Sequence, residues 1–206
     1  MTTTTTTRRT FVTALGGLGL SLGTGLSLTA CSSPAKSSTY TGEARTLALA
    51  AAVENQLTAV YAKALSTMQA GKLGTVPAAF AEYVRTANAH HAQHADAWNG
   101  LLSDARQPTI TGTPLSGHES VLDEIGQATT VTELAKLVQN LENRAAQTHL
   151  AALGTLTAPA DVAIAASIAP VEAMHAAAVG FILGKYPTAD GFLSVTGAAH
   201  PSDLLA

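Results

Sequence analysis

Cysteine occurs once in these 206 residues, at Cys31, so no intrachain disulfide can form and no cluster of thiolates is available to hold a metal. Aromatic residues make up 4% of the chain, which leaves little material for a large docking surface of the kind that anchors protein partners. Charged residues are scarce too, at 12%, and the Lys and Arg residues beyond Arg9 form neither a patch nor a stripe, so nucleic acid is excluded as a partner. No segment alternates apolar and polar residues with period two for long, which excludes a β architecture and leaves an all-α chain.

What the chain does have begins at its N-terminus. A polar Thr run leads to Thr7-Arg8-Arg9-Thr10-Phe11-Val12, then to an apolar, Gly-rich stretch from Ala14 to Leu28, then to Leu28-Thr29-Ala30-Cys31. This is similar to a twin-arginine export signal joined to a lipobox. The apolar part is about fifteen residues long, short of the roughly 20 that span a bilayer as a helix. It is also interrupted by glycines at 16, 17, 19, 23 and 25. Residues 1–31 are therefore expected to be a signal outside the fold, with Cys31 as the lipid-modified residue. The protein is then expected to be exported by the twin-arginine route and held by its lipid at the outer face of the cytoplasmic membrane. That route carries folded proteins, which is compatible with a cofactor loaded beforehand without requiring one. Without Arg8 and Arg9 the remainder carries nine basic and fourteen acidic residues, a formal −5, and its roughly 175 residues suffice for one domain with its own core.

Residues 32–42 are rich in Ser, Thr, Pro and Gly, as a flexible tether would be. The bundle is expected over 43–187. A first helix runs from Glu43 to about Ala70 and ends at Gly71, and a second runs from near Pro77 to about Asp104. The stretch from Arg106 to Gln127, with Pro108, Gly112, Pro114 and Gly117, reads as a long connection containing a short helix from Ser120 to Ile125. A third helix begins after Thr130 or Thr132 as N-cap, with Glu133 in its first turn, and ends near Pro159. Asp161 is the expected cap of a fourth helix ending at Gly184 or before Pro187, and Pro170 either opens that helix or kinks it. The tail, 188–206, is expected to be irregular, with Phe192 and Leu193 as candidates to dock on the bundle. Two hairpins joined by a long link give an antiparallel four-helix bundle with a crossover between helices two and three.

In every helix a Glu or a His interrupts an apolar stripe. Glu54 shares its face with Leu47, Ala50, Leu57, Tyr61 and Leu65; His91 and His94 share theirs with Phe80, Val84, Ala87, Trp98 and Leu101. Glu142 aligns with Leu134, Val138, Leu141, Ala145, His149, Ala152 and Leu156, and the pair Glu172 and His175 with Ile164, Ile168, Val171, Val179 and Ile182. Six ionisable groups thus point into one core. Buried charges persist when paired, hydrogen-bonded or bound to a metal, so something must compensate them. Trp98, Met68 and Met174 read as core.

This pattern resembles the ferritin-like superfamily, in particular its secreted or lipid-anchored ferritin-like domain proteins. The resemblance implies a metal centre in which helices one and three each give a Glu and helices two and four each give Glu-x-x-His. Glu54, Glu142 and Glu172-Ala173-Met174-His175 match; helix two carries His91-Ala92-Gln93-His94 instead. The implied metal ligands are Glu54, His91, His94, Glu142, Glu172 and His175. Tyr61 and His149 would hydrogen-bond the site rather than ligate, and His90, four residues before His94, is an alternative to His91. A neutral imidazole offers one donor nitrogen and cannot bridge as a carboxylate does, which points to one tight position or an unequal pair. Mixed carboxylate and imidazole ligands suit a transition metal, Fe or Mn first, with Zn and Cu compatible.

Two bland arrangements stand beside this one. Glu54 and Glu142 could be held by Tyr61, His149 or Arg144 as a structural network, and Glu172 with His175 could be a local pair one turn apart. The functional expectation is an exported, lipid-anchored metal-binding bundle, open to redox chemistry, with the metal and the membrane as partners and no separate acid or base evident. The alternative is a non-catalytic envelope scaffold or stress-protective protein with a degenerate site. A closed storage shell conflicts with a lipid-tethered N-terminus.

Overall fold

Ala-rich, strongly periodic sequence dictates the architecture: Ala and Leu favour the helix, and the small Ala side chains let helices approach closely. The computed structural model describes residues 39–186 and 190–206, which fall within one compact unit, Lys36–Ala206. Among the described residues there are four long helices, α1 (Glu43–Gln69), α2 (Ala78–Asp104), α4 (Val131–Ala152) and α5 (Pro159–Ile182), and one shorter one, α3 (His118–Gln127). A 3₁₀ turn follows at Pro201–Asp203. The N-terminal signal, Cys31 and most of the tether lie outside the described residues.

Contacts between helices fix their directions. Along α1, Glu54 meets His91 and Tyr61 meets Tyr83, so α2 runs antiparallel to α1. Thr46 meets Thr155 beyond the end of α4, Glu54 meets His149, and Tyr61 meets Glu142, so α4 is also antiparallel to α1. Helices α2 and α4 are therefore parallel, and the link between them must run the length of the bundle, as the one-crossover arrangement requires. Asn55 Nδ2 donates to the Gly112 carbonyl at 2.7 Å, and Asn99 Oδ1 accepts from the Ile110 amide at 2.8 Å, which pins the start of that link across α1 and α2. Farther along, α3 packs its buried Ile125 into the same core.

Local chemistry sets the helix ends. Thr130 Oγ1 accepts from the Glu133 amide at 3.1 Å and caps α4, and Glu133 Oε2 accepts from the Thr129 amide at 2.9 Å, tying the chain just before the cap to the first turn. Gly184, at φ 73°, stops α5: the Lys185 amide returns to the Gly180 carbonyl at 2.9 Å, a turn that needs a left-handed residue. The core holds Trp98, Tyr61, Phe80, Leu47, Leu57, Leu102, Ile125 and Leu134, all fully buried.

Several expectations need correction. The short crossover helix is ten residues rather than six, and α4 ends at Ala152, well before Pro159. Ala158 rather than Asp161 is the N-cap of α5; Asp161 sits in the first turn, where its charge complements the helix dipole. Pro170 lies inside α5, so it does not open the helix. Met174 is 61% exposed, because it falls on the side of α5 opposite Glu172's neighbours, while Met68 is half-buried against the core. In the tail, Phe192 is 93% and Leu193 40% exposed. The residues that dock are instead Ala199 and Leu204, held by an Ala199 amide bond to Thr148 Oγ1 at 2.8 Å and a bridge from Leu204 to Leu115.

Candidate metal centre

The four long helices deliver their ionisable residues to one level of the bundle, where the apolar stripe of each is interrupted. Glu54, His91, Glu142, His149 and Glu172 are fully buried, His175 is nearly so, and the His94 side chain is 14% exposed. All six residues expected as ligands are therefore brought together. Glu54, His91, His94 and Glu172 form one group of donor atoms within 4.8 Å of one another; His91, Glu142, Glu172 and His175 form a second. His91 and Glu172 belong to both.

Around these groups, hydrogen bonds hold some oxygens and leave others free. His149 Nε2 donates to Glu54 Oε1, and its ring stacks on Trp98 with centroids 5.4 Å apart. His91 Nδ1 donates to Glu54 Oε2 at 2.8 Å and its Nε2 to Glu142 Oε1 at 3.2 Å. Tyr61 donates its hydroxyl proton to Glu142 Oε1, and Tyr83 lies 2.7 Å from the Tyr61 hydroxyl. Tyr61 and His149 thus each hydrogen-bond a carboxylate of the cluster. Arg144 does not reach Glu142; it pairs with Asp203 in the tail at 2.6 Å.

Tyr83 is a site residue that the sequence reading passed over. It stands four residues before Ala87 and eleven before His94, on the same stripe, and that spacing was the signal available. His90 is half-buried with its Nδ1 3.0 Å from His175 Nε2, and it joins neither donor group. Of the two neighbours in sequence it is His91 that points inward.

Electrostatics follow from burial and proximity. Burial pushes Glu54 toward its neutral form, but His149, His91 and His94 outweigh it and hold the carboxyl well below its ordinary range. Glu142 is depressed in the same way, burial being outweighed by His91 and His175. Burial opposes charge on His91, yet Glu142, Glu54 and Glu172 raise it well above its usual value. His94 and His175 are each lifted to about 9 by the same carboxylates against the same burial. Burial, then the Glu142 charge, pushes the Tyr61 hydroxyl well up, so it remains a donor. With protons on these histidines the cluster is a set of imidazolium and carboxylate pairs.

A family model of the ferritin-like domain matches residues 42–185. The chain belongs to the ferritin-like domain family. No curated protein and no solved structure matches it.

Whether the donors of this ferritin-like domain suit a metal is decided by the atoms that hydrogen bonds leave over. Both oxygens of Glu172, Glu142 Oε2, His94 Nδ1 and His175 Nδ1 are buried without a hydrogen-bond partner. They nonetheless face one another: His94 Nδ1 is 2.7 Å from Glu172 Oε1, and His175 Nδ1 is 3.5 Å from both Glu142 Oε2 and Glu172 Oε2. Close approach without hydrogen-bond alignment is the arrangement of donors aimed at a common point. Metal–ligand bonds of about 2.0–2.2 Å place opposite donors about 4.2 Å apart, so each group is of the right size. In metal-free protein these atoms meet as imidazolium and carboxylate contacts, and an ion would take the place of the histidine protons. The residues fit a transition-metal ion. His91, with one lone pair when neutral, can serve only one of the two groups at a time, whereas each Glu172 oxygen faces a different histidine.

Proposed function

We propose that this ferritin-like domain binds one or two transition-metal ions, Fe or Mn, between α1, α2, α4 and α5, in a protein exported by the twin-arginine route and anchored by a lipid on Cys31. The observation that carries the metal reading is the convergence of buried oxygens and nitrogens of Glu172, Glu142, His94 and His175, which hold no aligned hydrogen bond and face one another at 2.7 to 3.5 Å. Glu54, Glu142 and Glu172 supply three negative charges, enough to neutralise one divalent ion and part of a second. The two positions are therefore unequal, the first filled more tightly than the second.

His149 fixes Glu54, and Tyr61 with Tyr83 fixes Glu142, so each carboxylate presents its remaining oxygen in a set direction. Buried Leu57, Val84 and Trp98 keep the surroundings apolar and strengthen every charge interaction within. Bound Fe or Mn would supply one-electron exchange with dioxygen or peroxide. Export and anchoring are supported by Arg8-Arg9 and by Leu28-Thr29-Ala30-Cys31, and a diacylglyceryl mass on Cys31 is their direct check.

Elemental analysis of protein folded in its native compartment, together with melting in the presence and absence of chelator, tests the metal reading. Near-stoichiometric metal and a chelator-induced fall in melting temperature are expected. Metal-free protein whose melting ignores chelator would leave a structural scaffold instead. Oxygen consumption on adding Fe(II) is expected to exceed that of His94→Ala protein; equal rates would remove the redox claim.

A further inference from the structure

Neutral imidazole carries one proton and one lone pair, so a histidine that offers one nitrogen to an ion must keep its proton on the other, and something has to receive that proton. His175 shows where each of its nitrogens is directed. Its Nδ1 is buried without a hydrogen-bond partner and lies 3.5 Å from an oxygen of Glu142 and 3.5 Å from one of Glu172. Its Nε2 points the other way, to His90 Nδ1 at 3.0 Å. The two rings are nearly parallel, 12° apart with centroids at 5.3 Å, so they meet edge to edge, as an in-plane N–H···N bond requires.

We propose that His90 is a positioning residue: it accepts the Nε2 proton of His175 and thereby commits the Nδ1 lone pair of His175 to the space between Glu142 and Glu172. The inference rests on the metal-binding reading above and goes beyond it, because His90 itself belongs to neither group of converging donors. For His90 Nδ1 to accept, its own proton must sit on Nε2, on the side away from His175. Two elements are coupled in this way: His90 rides on α2 one residue before the inward-pointing His91, and His175 rides on α5. The bond therefore also sets the distance at which α5 presents His175 to the carboxylates. Partners that orient a ligand histidine in this manner typically change metal affinity by about 10–100-fold when removed.

The test compares His90→Ala with His90→Asn in competition titrations with Mn(II) and Zn(II). Asn keeps an acceptor oxygen near the place of Nδ1, so it is the rescuing variant. His90→Ala is expected to weaken binding about 10–100-fold and His90→Asn to bind within a few-fold of the unaltered protein. Nitrogen-15 spectra of Zn(II)-loaded protein supply the second readout. The His175 ring proton should reside on Nε2 and exchange slowly with solvent, and faster in His90→Ala. Unaltered protein that takes up neither ion would sink the metal reading, and this inference with it. Tight binding by the unaltered protein and by both variants alike would overturn the inference alone. Equal losses in the two variants would overturn it as well, since they would mark packing rather than proton acceptance.

Discussion

Glu172 has both carboxylate oxygens buried, neither holds a hydrogen bond, and each faces a different histidine, so this one side chain links the two donor groups. Glu172→Ala should therefore abolish more binding than loss of any outer partner, whose removal costs about 10–100-fold in affinity. Metal content by elemental analysis is expected to fall strongly while far-UV circular dichroism keeps its helical amplitude. Unchanged metal content would remove Glu172 from the centre. At this scale the buried ionisable positions were readable, because each one interrupts an apolar stripe of known period: Glu54 between Leu47 and Tyr61, Glu142 between Val138 and Ala145. Hydrogen-bond partners were less so. Spacing placed His149 and Tyr61 on the right faces, but only the packing of α1 against α4 shows that His149 reaches Glu54 and Tyr61 reaches Glu142. His90 could not be assigned from its own helix, since its partner sits on α5, 85 residues away.

At the scale of elements, the cap of α4 was legible, whereas that of α5 and the irregular segments were not. Thr130 was one of two candidates for the N-cap of α4, and its hydroxyl accepts the Glu133 amide as the capping pattern requires. Thr130→Ala should lower stability by about 1 kcal/mol, read from chemical denaturation, and leave metal stoichiometry unchanged because the cap lies far along α4 from Glu142. A loss of metal in that variant would show that the frame of α4 and the centre are coupled. The tail misled by composition: Phe192 and Leu193 are its most apolar neighbours, yet the small Ala199 and Leu204 are the ones buried, because backbone bonds to Thr148 and Ser116 decide where the tail lies. Met174 went wrong for a related reason. On α5, apolar residues surround the helix, and period alone does not tell its inner face from its outer one.

For the whole molecule, protons and metal compete for the same cluster, which fixes the direction of its pH dependence. In metal-free protein His94 and His175 titrate at about 9, above the ordinary 6.5. Their stabilisation is fully present below about 6.5 and is lost as pH rises through about 9. Glu54 and Glu142 are depressed from 4.5, so their stabilisation is present above about 4.5 and fades as pH falls toward their folded values. Chelator-treated protein should thus melt highest between about pH 4.5 and 6.5 and decline toward pH 9. Metal affinity should climb over that same alkaline interval, since the histidine protons must leave before an ion is bound, and the gap between the two melting curves should widen. The measurement that tests the central claim most directly is an anomalous difference map from crystals grown with Mn(II), recorded at energies around the manganese edge. A principal peak touching Glu172 and either His94 or His175, with a weaker second peak at the other histidine or none, is the result predicted. A featureless map at Glu172, or manganese bound only at the surface, would contradict it.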